Sequence, residues 1–205
     1  MELSIKGNPG TGNSYQEVNL QDVTNYNPTA TTAITNIYHG NGCTRMGAYF
    51  QRLMEEIRGN VKEEVIDDLL YYTTRLDGTK GMEEKLMDGG FRPNKIEEAK
   101  RFKELYAKKA TRFDCYPAAQ QINLNLFSRI KNEFDTNIYP LIENGESLNL
   151  VMQQIRERIV LPIMTLIENA GANDTSLQYT EDHIYGMIYY LTGMCHLNWK
   201  DYDNV

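Results

Sequence analysis

The sequence predicts a mainly α-helical protein: an irregular domain of about six or seven helices behind a short extended or β-containing N-terminal arm. Three observations lead there. From Cys43 onward, large apolar residues recur at spacings of three and four, the pattern of helices that bury one face. Residues 1–42 carry only Glu2, Lys6, Glu17 and Asp22 as charges, are rich in Asn, Thr and Gly, and hold too few large apolar side chains for a core of their own. The run Ile184–Trp199 contains no Asp, Glu, Lys or Arg in a chain that is 24% charged, so as a helix it must be covered on nearly every side. The division is therefore into an arm, 1–42, and an all-α domain, 43–205.

In the arm, Val18, Leu20 and Val23, then Ile34 and Ile37, allow one or two short strands split near Asn27-Pro28, with Gly40-Asn41-Gly42 as a hinge. Met46, Phe50, Leu53 and Ile57 define the first helix, which Gly59-Asn60 can stop. Val61, Val65, Leu69, Tyr72 and Leu76 repeat the spacing and predict a second helix, broken at Asp77-Gly78. A short helix follows over Met82–Met87, ended by Gly89-Gly90. Asn94 and Glu97 have the spacing of a capping box, and Ile96, Ala99, Phe102, Tyr106, Ala110 and Phe113 mark the buried stripe behind it. Pro117 suits the first turn of another helix, carrying Ala119, Ile122, Leu126, Phe127, Ile130 and Phe134 until Pro140 interrupts or ends it. Ser147 is a cap for a long stripe, Leu148, Val151, Ile155, Ile159, Ile163 and Leu166, expected to kink at Pro162. Thr180, followed by Glu181 and Asp182, caps the last helix.

With 205 residues and 41% apolar content the chain is long enough for one substantial globular domain. A net charge of −7 argues against a broad nucleic-acid surface, though not against a local basic patch. The start at Met1 shows no charged-then-apolar leader, and Cys43, Cys115 and Cys195 are odd in number and far apart. A reducing cytoplasm is the expected setting. The run Ile184–Trp199 is too short, and too rich in Tyr and Gly, for a membrane span.

Few residues promise chemistry. Gly7-Asn8-Pro9-Gly10-Thr11-Gly12-Asn13-Ser14 resembles a phosphate-binding loop, but Asn13 stands where the pattern requires a lysine to neutralise phosphate, and no helix pattern follows. His39, His183 and His196 have no ligand spacing with Cys195 that suggests zinc. A Cys195–His nucleophilic pair is conceivable, against a plain reading of both as packing residues. No catalytic residue, metal or cofactor is expected. Arg92, Lys95, Lys100, Arg101, Lys103, Lys108, Lys109 and Arg112 form an uneven basic stretch. It reads as a solvated helix surface or, alternatively, as a phosphate-contacting face built on Arg101, Lys108, Lys109 and Arg112. The acids Glu55, Glu56, Glu63, Glu64, Asp67 and Asp68 lack the Glu-x-x-His spacing of a di-iron bundle and read as solvated. Tyr185, Tyr189, Tyr190 and Trp199 give the last helix amphipathic rings of the kind enriched at interfaces. Gly186 and Gly193 lie seven apart, on one side. Glycine there costs about 1 kcal/mol against alanine, which close approach of a neighbouring backbone would offset. That neighbour is either internal or a partner.

The segment Gly186-Met-Ile-Tyr-Tyr-Leu-Thr-Gly-Met-Cys-His-Leu-Asn-Trp199 resembles the closing motif of C-terminal domains in bacterial ABC three-component conflict systems, a class that includes Lamassu-type anti-phage systems. Ala99-Lys-Arg-Phe-Lys-Glu-Leu-Tyr, Ala118-Ala-Gln-Gln-Ile-Asn-Leu-Asn-Leu-Phe-Ser-Arg-Ile, Phe134–Pro140 and Ile155–Pro162 look like the same domain, so the resemblance spans roughly residues 80–199. Such domains usually follow an effector enzyme and are thought to tie it to an SMC-like ABC ATPase and a small middle component. Here residues 1–42 are too short and too poor in acids, histidines and apolar residues to be a nuclease, protease or NAD-degrading effector. The resemblance therefore implies a non-enzymatic assembly component of an anti-phage or anti-plasmid complex, docking onto the ATPase or a second copy of itself. Its motif residues would be Tyr185, Gly186, Tyr189, Tyr190, Leu191, Thr192, Gly193, Cys195, His196 and Trp199. The alternative is a nucleic-acid-binding adaptor using the basic 92–112 segment.

Overall fold

A computed structural model describes residues 44–75 and 80–202. The expectations for the arm, its glycine-rich loop, His39, Cys43, Leu76 and Asp77-Gly78 lie outside them. All regular secondary structure among the described residues is helical, with no strand: α1 (Arg45–Gly59), α2 (Asp67–Thr73), α3 (Met82–Asp88), α4 (Pro93–Phe113), α5 (Pro117–Glu133), α6 (Tyr139–Glu143), α7 (Leu148–Ile155), α8 (Leu161–Ala170) and α9 (Glu181–Gly193). Two π segments, Phe134–Ile138 and Arg156–Val160, join α5 to α6 and α7 to α8, so the elements amount to seven continuous helices.

Those π segments explain the two prolines. Proline removes an N–H and its ring crowds the carbonyl four residues earlier. In both places the residue just before the proline bonds five residues back: Tyr139 N–H to Phe134 O, and Leu161 N–H to Arg156 O. One widened turn absorbs the steric conflict, so Pro140 and Pro162 neither end nor break their helices. Phe134, Ile138, Ile159 and Val160 remain fully buried across the widened turns.

Two other boundaries differ from expectation. Pro93, not Asn94, opens α4, with Arg92 extended before it, because a residue preceding proline is disfavoured in the helical region. Residues 61–66 do not join α2. Their backbone groups are taken by distant partners: Glu63 N–H bonds Cys115 O at 2.9 Å, Ile66 N–H bonds Gln120 Oε1 at 3.0 Å, and the Gln120 amide nitrogen donates to Glu64 O at 3.1 Å. A helix needs those same groups internally. Gln120, 1% exposed, supplies two of the bonds that sustain the extended path.

The centre of the fold is α5, whose Ala118, Ala119, Ile122, Leu126, Phe127 and Ile130 are all fully buried. α1 lies along it and contributes Phe50 and Leu53, while α2, α9 and the Arg156–Val160 segment close its remaining sides. α1 also supplies Glu56, 3% exposed, whose carboxylate accepts the Ala118 N–H at the start of α5 at 2.8 Å. Arg52 pairs with it at 2.7 Å. An anion at a helix N-terminus is favourable, and burial nevertheless raises the Glu56 carboxyl above its ordinary range.

The tightest helix pair is α4 with α9. A β-carbon on Gly186 would lie 2.7 Å from Tyr106 Cβ and closer still to the Phe102 carbonyl oxygen. A β-carbon on Gly193 would meet the flexible end of Lys103 at 3.1 Å and Met82 Cβ at an ordinary contact distance of 3.8 Å. The close backbone approach expected of both glycines therefore belongs to Gly186 alone, and the neighbour is the chain's own α4. Gly186→Ala is expected to cost at least the 1–3 kcal/mol typical of overpacking or to prevent folding, whereas Gly193→Ala is expected to stay within about 1 kcal/mol of the wild type. Thermal unfolding followed by circular dichroism checks this; equal melting temperatures for the two variants contradict it.

Candidate functional site

The distinctive surface of this protein is the closing segment and its cradle. The charge-free run does not form one rod. α9 stops at Gly193, and the Cys195 N–H and His196 N–H turn back to Thr192 O and Leu191 O at 3.2 and 2.9 Å. Cys195 takes φ 71°, the left-handed position that normally falls to glycine in this type of helix stop. Cys195, His196 and Trp199 therefore sit in a reversal beyond the helix, and the run folds back on itself.

Trp199 anchors that reversal. Its indole N–H donates to Thr192 Oγ1 at 2.9 Å, and the Thr192 hydroxyl donates to Ile188 O at 2.9 Å. Thr192 is completely buried and Trp199 is 3% exposed. The indole stands edge-on to Phe91 (ring centres 4.9 Å apart) and Phe134 (5.5 Å), and a β-carbon on Gly89 would collide with its backbone and Cβ at 2.9 and 2.7 Å. Gly89 thus serves the tryptophan as well as the end of α3.

Two polar groups lie beside it, one buried and one half-buried. Lys85 of α3 is 4% exposed and donates to Leu197 O at 3.4 Å. It also hydrogen-bonds the Cys195 thiol, and burial lowers its ammonium below the usual lysine range. The His196 ring packs between Tyr71 (4.9 Å) and Tyr72 (5.2 Å) of α2, and burial lowers its pKa. These residues fasten α2, α3 and the C-terminal reversal together. Cys195 faces a lysine and backbone carbonyls at 3.9 Å rather than a histidine, and no group of three or more His, Cys, Asp or Glu among the described residues is placed to hold a metal ion.

The rest of the closing motif faces inward. Gly186, Tyr189, Leu191, Thr192 and Gly193 are buried, while Tyr185 and Tyr190 are partly covered by Phe102 and Phe127. The greasy run is sandwiched, and its own chain does the covering.

The basic stretch on α4 is largely engaged. Lys95 pairs with Glu98, Lys100 with Glu83 and Glu97, and Lys108 with Glu104. Lys109 donates to the carbonyls of Leu177 and Gln178 and lies 5.7 Å over the Tyr179 ring. Arg112 lies over Phe113 at 5.4 Å; Arg101 is exposed. Lys109 has a structural task that spacing could not reveal: it pins the loop before α9, where Asp174 caps the N–H groups of Ser176, Leu177 and Gln178.

At the start of α9 a histidine plays the part that Glu usually has in a capping box. His183 Nδ1 accepts the Thr180 N–H at 3.2 Å and lies 2.8 Å from Thr180 Oγ1. The ring proton is thus on Nε2, which is buried with no partner among the described residues. Desolvation, then Lys109, lowers the His183 pKa to about 4, against a smaller opposing pull from Asp182. A base whose folded pKa is depressed binds protons better when unfolded, so stability falls as pH drops from about 6.5 towards 4. His183→Gln preserves the cap and removes the titration, so its unfolding free energy is expected to fall less over that interval; urea melts at several pH values read this, and identical slopes overturn it. In a double-mutant cycle, Thr192→Val and Trp199→Phe are expected to couple by about 1 kcal/mol, because either alone strands the other's buried polar group. Additive losses in melts would show the bond to be energetically idle.

With this geometry in place, comparison with known proteins gives one match and two blanks. No curated protein and no solved structure matches the chain. Residues 81–199 match the family described as C-terminal domain 9 of the ABC-three component systems. The matched region begins just before α3 and ends on Trp199, taking in the α4–α9 contact and the whole closing segment. It covers more than half of the sequence, and the chain therefore belongs to the C-terminal domain 9 family of ABC-three component systems.

Proposed function

We propose that this protein is a non-catalytic assembly component of a cytoplasmic bacterial anti-phage or anti-plasmid defence complex, docking onto an SMC-like ABC ATPase and its small middle component or onto a second copy of itself. The observation that carries the reading is the family match over residues 81–199, to a domain of multi-component systems. The physical arrangement fits such a role. Motif residues hold the domain rigid from within, and a rigid body presents a docking surface at low entropic cost. Outside the motif, several large apolar side chains remain exposed, notably Tyr71 at 60% and Met87 at 64%, and no helix of the described residues is long and apolar enough to cross a membrane.

The test is co-expression of the full chain with the products of adjacent genes, followed by affinity purification and size-exclusion chromatography. Co-elution with an ABC ATPase, or a homo-oligomer, is expected. A monomer that captures none of its neighbours overturns the reading.

A further inference from the structure

Lys85 of α3 lies in the core without an acid beside it. It is 4% exposed, and no carboxylate pairs with it among the described residues, although a lysine is seldom buried unpaired. Its bonds go to Leu197 O, at 3.4 Å, and to the Cys195 thiol. Burial holds the ammonium below its usual range; Cys195 opposes this and the Arg75 charge adds to it. A larger share of Lys85 is therefore the neutral amine, whose nitrogen carries a free electron pair. Cys195 is held against that nitrogen. Its φ of 71° and the bonds from the Cys195 and His196 N–H groups to Thr192 O and Leu191 O fix the turn, and the thiol lies 3.9 Å from Lys80 O and from Gly193 O. The Leu197 carbonyl that receives Lys85 belongs to the same turn, so one reversal places both the amine and the sulfur. Cys195 is only half-buried, within reach of a solute as small as hydrogen peroxide.

We infer that Lys85 and Cys195 form an oxidative cross-linking site, which hydrogen peroxide joins through a sulfenamide, an S–N bond between Lys85 Nζ and Cys195 Sγ. In the first step the thiolate sulfur attacks one peroxide oxygen and the O–O bond breaks. The other oxygen leaves as hydroxide and takes up the thiol's proton, giving water and a sulfenic acid. In the second step the Lys85 nitrogen attacks that sulfur. The S–N bond forms, the S–O bond breaks, and the hydroxyl departs as water with a proton from nitrogen. One thiol, one amine and one peroxide thus become one sulfenamide and two waters; sulfur gives up two electrons and the peroxide accepts them. Dithiothreitol reverses the link, returning two electrons to the sulfur and closing to its own disulfide. The amine is already in contact, so the second step avoids the entropy of bringing two groups together, whereas a sulfenic acid with no nucleophile at hand is open to further oxidation to sulfinic acid. The bond ties α3 to the turn after α9, both within the family-matched residues 81–199.

The site is independent of the assembly role. The test treats the full chain with hydrogen peroxide, blocks remaining thiols with iodoacetamide and maps the peptides by mass spectrometry. Cys115, likewise half-buried, is the internal control for plain oxidation. The expected product is a peptide pair joined through Lys85 and Cys195, lighter by two hydrogens than its parts and separated again by dithiothreitol. Lys85→Arg, which keeps a buried cation but not the amine, is expected to lose the link and to leave a sulfenic acid on Cys195 that dimedone captures. Should that variant fail to fold, the wild-type peptide map decides alone. A Cys195 that stays reduced, that reaches sulfinic acid without a link to Lys85, or that pairs with another cysteine overturns the proposal.

Discussion

Helices α4 and α9 meet with no side chain between them at Gly186, and most of the molecule is arranged around that contact. The missing side chain lets the Phe102–Tyr106 turn of α4 lie against α9. This puts Tyr106 within ring contact of Phe127 of α5 and Tyr190 of α9, at 5.8 and 5.5 Å. One glycine thereby couples the consecutive helices α4 and α5 to the distant α9. Its cost in helix propensity, about 1 kcal/mol, is small beside the burial of Tyr106, Ile184, Met187 and Ile188 that it permits.

A second layer of organisation is polar. Glu56 caps α5, Gln120 fixes the strap before α2, Lys109 holds the loop before α9, Thr192 receives Trp199, and His183 completes a cap. Each satisfies backbone groups or a buried donor that would otherwise be stranded. Glu56 and the strap lie ahead of the family-matched region, yet they cap and clasp helices within it. α1 and α2 are therefore structural parts of this helical unit, completing a core that the matched residues alone leave open.

Apolar periodicity made much of this legible. Phe50 and Leu53, the stripe from Ile96 to Phe113, and Ile122 to Phe134 were all recoverable from spacing, because burial of one helix face imposes the same period on every helix. Pro117 and Ser147 marked their helix starts for local reasons that the fold respects. The differences have both local and remote origins: Pro93 displaces the expected Asn94 cap, partners remote in sequence hold Val61–Ile66 extended, and the helix that Pro140 could have ended runs on through a widened turn. Cys195 in a left-handed position gives no composition cue, since the stop it makes is normally written with glycine.

The sequence by itself determined the helical class, the helix faces that are buried, the need to cover Ile184–Trp199, and the family kinship carried by its closing motif. Those properties reside in residue type and period. Only the tertiary structure decided that the covering comes from α3, α4 and α5 of the same chain, and that Gly186 rather than Gly193 is the point of closest approach. Such facts depend on how helices far apart in the chain are set against one another, and no local pattern encodes that distance.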